Sequence, residues 1–132
     1  MPQLQWNELE LIEFLSVVPQ TEDQVYHTFD LARDGLRMLL TLRQFESVLH
    51  LTISYADSKN DLLDLTAYIR GRVELHRHVA TNVPFLRISG CLIVPNRFIH
   101  TEMGNPFDTQ KFPFGVDIHL WVDPKIRCCL TQ

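Results

Sequence analysis

The stretch that most constrains the fold runs from Leu63 to Leu75, LDLTAYIRGRVEL. Every second residue is small or apolar, and a period of two is typical of a strand with one buried and one solvated face. A helix here would place Gly71 in its interior at a cost of about 1 kcal/mol and would explain fewer positions, so the pattern favours a strand. The row predicted to face the core is Leu63, Leu65, Ala67, Ile69, Val73 and Leu75.

The same alternation recurs along most of the chain. It predicts further strands over residues 25–31, 36–42, 49–55, 83–94 and 116–122, with a short last strand around 126–130. The pair Asp34-Gly35 between two such runs predicts a tight hairpin. Gly71 and Gly90 fall on the apolar phase of long strands and predict a bulge or a sharp bend.

One amphipathic helix is predicted over residues 7–18, with Asn7 as its N-cap, Val18 on its apolar face and Pro19 ending it. No β-α-β alternation follows. The sequence therefore predicts an α+β fold, mostly antiparallel β, with the N-terminal helix packed on a sandwich or curled half-barrel of about seven strands. A length of 132 residues predicts a single domain over residues 1–132.

Composition limits the classes of partner and the compartment. A formal net charge of −4 and a pI near 5.8 give no global field that would attract nucleic acid or an anionic membrane, so neither partner is expected. There is no apolar run long enough for a transmembrane helix. Three cysteines, two of them adjacent, make a poor disulfide framework and predict a reducing compartment, the cytoplasm.

The common catalytic and nucleotide-binding motifs are missing from the sequence. It contains no GxGxxG, P-loop, GxSxG, HExxH or CxxC. His76 and His78 have the spacing of two ligands on one strand face, but exposed strand-end histidines are the favoured interpretation. We therefore predict no metal, no cofactor and a protein that is not an enzyme.

Two regions are candidates for ligand binding. Arg70 and Arg72 flank Gly71, so a bend there would present two guanidiniums that suit a carboxylate or phosphate, unless they pair with acidic residues across the sheet. Residues 95–115 form a long irregular segment with four phenylalanines, which is predicted to pack back on the sheet. The candidate ligand-binding residues are Arg70, Arg72, His76, Arg97 and His100.

Several apolar side chains fall on the polar phase of their strands. They are Leu39, Tyr68, Phe85, Ile93 and Trp121. Either the helix and the long segment cover them, which is the favoured interpretation, or another subunit does.

The leading functional prediction is a binding or protein-interaction module that self-associates or binds another protein, with Leu39, Tyr68, Phe85 and Trp121 as its interface. The first alternative is a small-molecule-binding or hydrolytic protein that uses the segment 95–115 with Arg70 and Arg72. The second is an acidic inhibitor, such as an immunity protein, which the charge of −4 permits.

Overall fold

The computed structural model describes residues 3–58, 60–94 and 104–132. Within them lie one helix and nine strands. These are α1 (Glu8–Leu15), β1 (Gln20–Glu22), β2 (Tyr26–Arg33), β3 (Leu36–Arg43), β4 (Val48–Tyr55), β5 (Asp61–Ile69), β6 (Val73–Arg77), β7 (Pro84–Val94), β8 (Val116–Trp121) and β9 (Arg127–Thr131). None of the described helices is long and apolar enough to cross a membrane.

The strands form one antiparallel sheet in the order β1-β2-β3-β4-β5-β7-β8-β9, and the sheet does not close into a barrel. β6 pairs with the first half of β7, and β5 pairs with its last residues. Successive hairpins produce this order, which confirms the α+β, mostly antiparallel fold class. The strand number exceeds the predicted seven because β1 was not foreseen and the stretch Leu63–Leu75 divides in two.

The core lies between α1 and the inner face of the sheet. Leu11, Phe14 and Leu15 of the helix are buried against apolar residues that the strands point inward at every second position. Asn7 caps the helix as predicted, because its side chain accepts a hydrogen bond from the Glu10 N–H at 3.2 Å. The predicted end is wrong: Ser16 adopts a left-handed conformation at φ 57°, the helix stops there, and Val18 is exposed.

The prediction of one continuous strand from Leu63 to Leu75 is also wrong, because the chain leaves regular pairing between Ile69 and Val73. The break falls at the two glycines, where a bend was predicted. Gly90 has a φ of +65°, and a Cβ added to Gly71 would lie 2.5 Å from the Ser89 carbonyl oxygen. Only glycine fits this approach of two backbones. The predicted inner row is buried or partly buried throughout.

A second, smaller apolar cluster lies on the outer face of the sheet. Val48, Tyr68 and Val94 are buried there, with Leu92 and Phe107 packed against them. Phe107 belongs to the segment 104–115, so the described part of the long irregular segment packs back on the sheet. It covers the outer face over the last residues of β5 and β7.

Candidate binding surface on the outer face of the sheet

A row of aromatic and basic side chains crosses four strands on the outer face. Strand register sets His76 of β6 opposite Phe85 of β7, and Trp121 of β8 opposite Arg127 of β9. The pairing of Leu86 with Leu120 brings Phe85 beside Trp121, with ring centroids 5.1 Å apart. The ring of His76 lies 5.9 Å from that of Phe85. We call these four residues the aromatic row.

Alternation along each strand explains why the row faces outward. Leu86 and Leu120, the neighbours of Phe85 and Trp121, are fully buried in the core, so the aromatic residues must point to the other face. The side chains of the row are partly exposed, and that of Arg127 is exposed. A contiguous set of aromatic rings with an arginine offers a large contact area with fixed geometry.

The Arg127 guanidinium stacks over the Trp121 indole, with its carbon atom 4.2 Å from the ring centroid. This cation–π contact orients the guanidinium without using its N–H groups. Two other arginines lie close to acidic residues. Arg87 donates to Asp117 Oδ2 from Nε at 3.1 Å and from Nη2 at 2.9 Å. Arg72 lies 3.8 Å from Glu74.

Asp117 is the best-anchored carboxylate near the row. Its Oδ1 accepts a hydrogen bond from the Gly90 N–H at 3.1 Å, while Oδ2 accepts from Arg87. Burial raises the pKa of Asp117, but the Gly90 N–H and the Arg87 guanidinium outweigh burial and hold the pKa below its usual value. The carboxylate therefore stays charged and fixes the bulge at Gly90 to β8.

A concave pocket of about 370 Å³ opens at one end of the aromatic row, between the β6–β7 and β8–β9 connections. Its lining includes His78, Thr81, Trp121, Asp123, Lys125 and Arg127. The His78 Nδ1 accepts hydrogen bonds from the backbone N–H groups of Ala80 at 3.2 Å and Thr81 at 3.4 Å. In the neutral ring the proton is therefore on Nε2, which leaves that nitrogen as a donor.

Charge is divided unequally along the chain. Residues 1–66 contain four lysines and arginines against eleven aspartates and glutamates, whereas residues 67–132 contain eight against five. The strand order separates most of these charges, since β1 to β5 precede β7, β8 and β9 across the sheet. The acidic helix α1 is the exception, because it packs on the inner face and contacts β6. The aromatic row and its pocket lie on the basic half of an acidic protein.

Arg70 contacts different groups from those expected of a ligand-binding pair. Its guanidinium donates to the Phe112 carbonyl oxygen, to that of Phe114 at 2.9 Å and to that of Gly90 at 3.4 Å. These contacts fasten the segment 104–115 to the sheet, while Arg72 faces Glu74. We call this set of contacts the Arg70 clip.

The remaining predicted site residues are dispersed. His76, Phe85 and Trp121 come together in the aromatic row, whereas Arg97 and His100 lie outside the described residues. Tyr68 is 4% exposed and lies under Phe107, with ring centroids 5.8 Å apart, so for this residue the cover comes from the chain itself. Leu39 is partly buried on β3, in the acidic half, and Ile93 is 36% exposed.

Sequence reasoning missed Arg127 and the pocket, because the register that joins β8 and β9 cannot be deduced from alternation. The sequence did offer one signal for this surface, because Trp121 is an aromatic residue on the outward-facing phase of its strand. Within residues 3–58, 60–94 and 104–132, no three histidine, cysteine, aspartate or glutamate side chains are grouped as metal ligands.

No protein-family model matches this sequence, and no curated protein matches it. Among solved structures, one chain of a contact-dependent growth inhibition toxin–immunity protein complex from Klebsiella pneumoniae 342 is similar to it. The TM-score is 0.65 over 98% of this chain and 96% of that chain, at 14% sequence identity. At that identity the likeness shows a shared fold over nearly the whole chain.

Proposed function

We propose that this protein is a protein-binding module of the immunity type, which inhibits a partner protein by binding it through the aromatic row. The row itself carries the proposal. Aromatic residues and arginine are enriched among the few residues that dominate binding energy at protein interfaces, and here Phe85, Trp121 and Arg127 are adjacent and partly exposed.

The fold likeness supports a protein as the partner, because the similar chain comes from a complex of two proteins, a toxin and its immunity protein. The charge around the aromatic row indicates which kind of partner surface can bind there. Salt screens charges beyond about 8 Å under physiological conditions, so a partner senses the basic half rather than the whole-chain charge of −4. The contacting surface of the partner is therefore expected to be acidic.

The alternative of a ligand or hydrolytic site built on Arg70 and the long segment loses its main support. The Arg70 donors already bind the backbone carbonyls of Phe112, Phe114 and Gly90. A guanidinium occupied in this way has few donors left for a carboxylate or phosphate.

The test is site-specific photo-crosslinking in the organism of origin. The photoreactive residue p-benzoylphenylalanine replaces Phe85 in one variant and Tyr55 in a matched control. Tyr55 is an aromatic residue that is 54% exposed at the end of β4, in the acidic half. We expect the Phe85 variant to crosslink to one protein that the Tyr55 variant does not capture.

The identified partner is then purified and its affinity measured directly. Trp121→Ala is expected to weaken binding at least tenfold, since truncating a central interface aromatic typically costs about 2 kcal/mol or more. Co-expression of this protein should suppress the activity of the partner. Equal crosslinking from both positions, or an unchanged affinity for Trp121→Ala, would reject the proposal. A crosslink between two copies would assign the row to self-association instead.

A further inference from the structure

We propose that the pocket at the end of the aromatic row binds a single carboxylate group, presented by an acidic side chain of the partner protein. The source of the carboxylate rests on the proposed function above. The chemistry of the pocket follows from its own residues.

The pocket contains two cations, Lys125 and Arg127, and one carboxylate, Asp123. Among residues 3–58, 60–94 and 104–132, neither Lys125 nor Arg127 forms an ion pair, whereas Arg87 nearby is bound to Asp117 through two hydrogen bonds. Arg127 is oriented by its stacking on Trp121, so its planar N–H edge is pre-arranged for a carboxylate at a small entropic cost.

Two neutral donors complete the lining. The Nδ1 of His78 accepts from backbone N–H groups, which leaves Nε2–H to donate. The Thr81 hydroxyl oxygen accepts from the Val83 N–H at 3.4 Å, which leaves its own O–H to donate. The backbone thus satisfies the acceptor atoms of both side chains and leaves donors, as an anion requires.

Charge and size select the kind of anion. Asp123 also lines the pocket, and with Lys125 and Arg127 it gives the lining a formal charge of +1 when His78 is neutral. One carboxylate balances that charge, whereas a phosphate group carries about −1.5 to −2 and would be repelled by Asp123. The volume of about 370 Å³ is near the lower end of the range for ligand pockets, which suits a side chain better than a large cofactor.

The experiment is a titration of the isotope-labelled full chain at pH 7, followed by amide NMR. The ligands are N-acetylglutamate α-amide, its neutral analogue N-acetylglutamine amide, and inorganic phosphate. We expect the glutamate compound to shift amides in residues 78–83 and 121–127, and to bind at least tenfold more tightly than the glutamine compound. Phosphate should bind more weakly than the glutamate compound.

Three variants sharpen the result, each checked for an unchanged thermal midpoint. Arg127→Gln should weaken binding of the glutamate compound about fivefold or more, and Asp123→Asn should strengthen binding of both anions, phosphate the more. Lys111→Gln is the charge-matched control on an exposed segment outside the pocket, and should change affinity less than twofold. Equal affinity for the two amino acid compounds, shifts elsewhere, or equal effects of Arg127→Gln and Lys111→Gln would overturn the proposal.

Failure of the carboxylate site and failure of the proposed function give different results. If Phe85 crosslinks to no protein but the glutamate compound still binds the pocket, the proposed function fails and the protein source of the carboxylate is overturned with it. If a partner is found and Lys125→Gln, which changes the pocket but not the aromatic row, leaves its affinity unchanged, the proposed function stands and the pocket is not its anchor.

Discussion

Removal of the Arg70 guanidinium should destabilise the protein by about 2–3 kcal/mol. A hydrogen bond from a charged donor contributes about 1.5–3 kcal/mol, and Arg70 makes two good ones, to the carbonyl oxygens of Phe112 and Phe114, with a weaker third to Gly90. The Phe114 bond is exposed, so water replaces much of it in Arg70→Ala. The partly buried Phe112 carbonyl is left with less compensation.

The assay is urea unfolding followed by tryptophan fluorescence, with limited proteolysis to test whether cleavage within residues 104–115 becomes faster. Arg72→Ala is the control, since it removes the same charge two residues away. Its side chain is 58% exposed and its contact with Glu74 is 3.8 Å long, so we expect a change within about 0.5 kcal/mol. Equal effects of the two variants, or a loss below 1 kcal/mol for Arg70→Ala, would refute the structural role of the clip.

Gly115 lies against the Arg70 guanidinium, so a substitution at Gly115 also tests the clip. A Cβ there would lie 2.6 Å from Arg70 Nη2 and 3.3 Å from the Cys91 carbonyl oxygen, so Gly115→Ala must displace the guanidinium. We expect a loss of about 1–2 kcal/mol, most of which disappears in an Arg70→Ala background, because the displaced group is then absent. If the two effects are additive in this double-mutant cycle, the cost of Gly115→Ala does not come from displacing the Arg70 guanidinium.

Three further outcomes follow from the geometry around the break and the bulge. Gly71→Ala should cost about 3 kcal/mol, measured by urea unfolding, because its Cβ meets the Ser89 backbone, which cannot move as a side chain does. Asp117→Asn should be less stable by about 1–2 kcal/mol at pH 7. The folded pKa of Asp117 is lowered, so its stabilisation is lost as the pH falls through that pKa, and the unfolding midpoints of the two proteins should converge over the same acidic range. Burial raises the pKa of the Cys91 thiol to about 12, so mass spectrometry should find it alkylated by iodoacetamide at pH 8 only after unfolding.

The parts of the fold that sequence predicted correctly depend on local information. Alternation sets which residues of a strand face the core, and the Asn7 cap sets where the helix begins. The Asp34-Gly35 turn joins β2 to β3 with both residues at positive φ, 52° and 81°, as this pair favours. Each of these features requires only neighbouring residues, so one sequence is sufficient.

The role of Arg70 could not be found in this way. Its principal acceptors are backbone carbonyls 42 and 44 residues further along the chain, and a carbonyl group carries no signature of residue type. The aromatic row was missed for a related reason. His76, Phe85 and Trp121 were each candidates. They meet, and Arg127 joins them, only because of the order and the register of the strands, which a single sequence does not reveal.

The break in Leu63–Leu75 divides the outer face of this stretch into two parts with different surroundings. Before the break, the outer face of β5 carries Tyr68, which lies beneath Phe107 of the clipped segment. After it, the outer face of β6 carries His76, which lies in the partly exposed aromatic row. Because Arg70 contacts Gly90, Phe112 and Phe114 rather than residues of the aromatic row, Arg70→Ala should lower stability yet leave affinity at the row within about twofold under conditions where the variant is folded. A large loss of affinity would mean that the covered and uncovered parts of this face act as one surface.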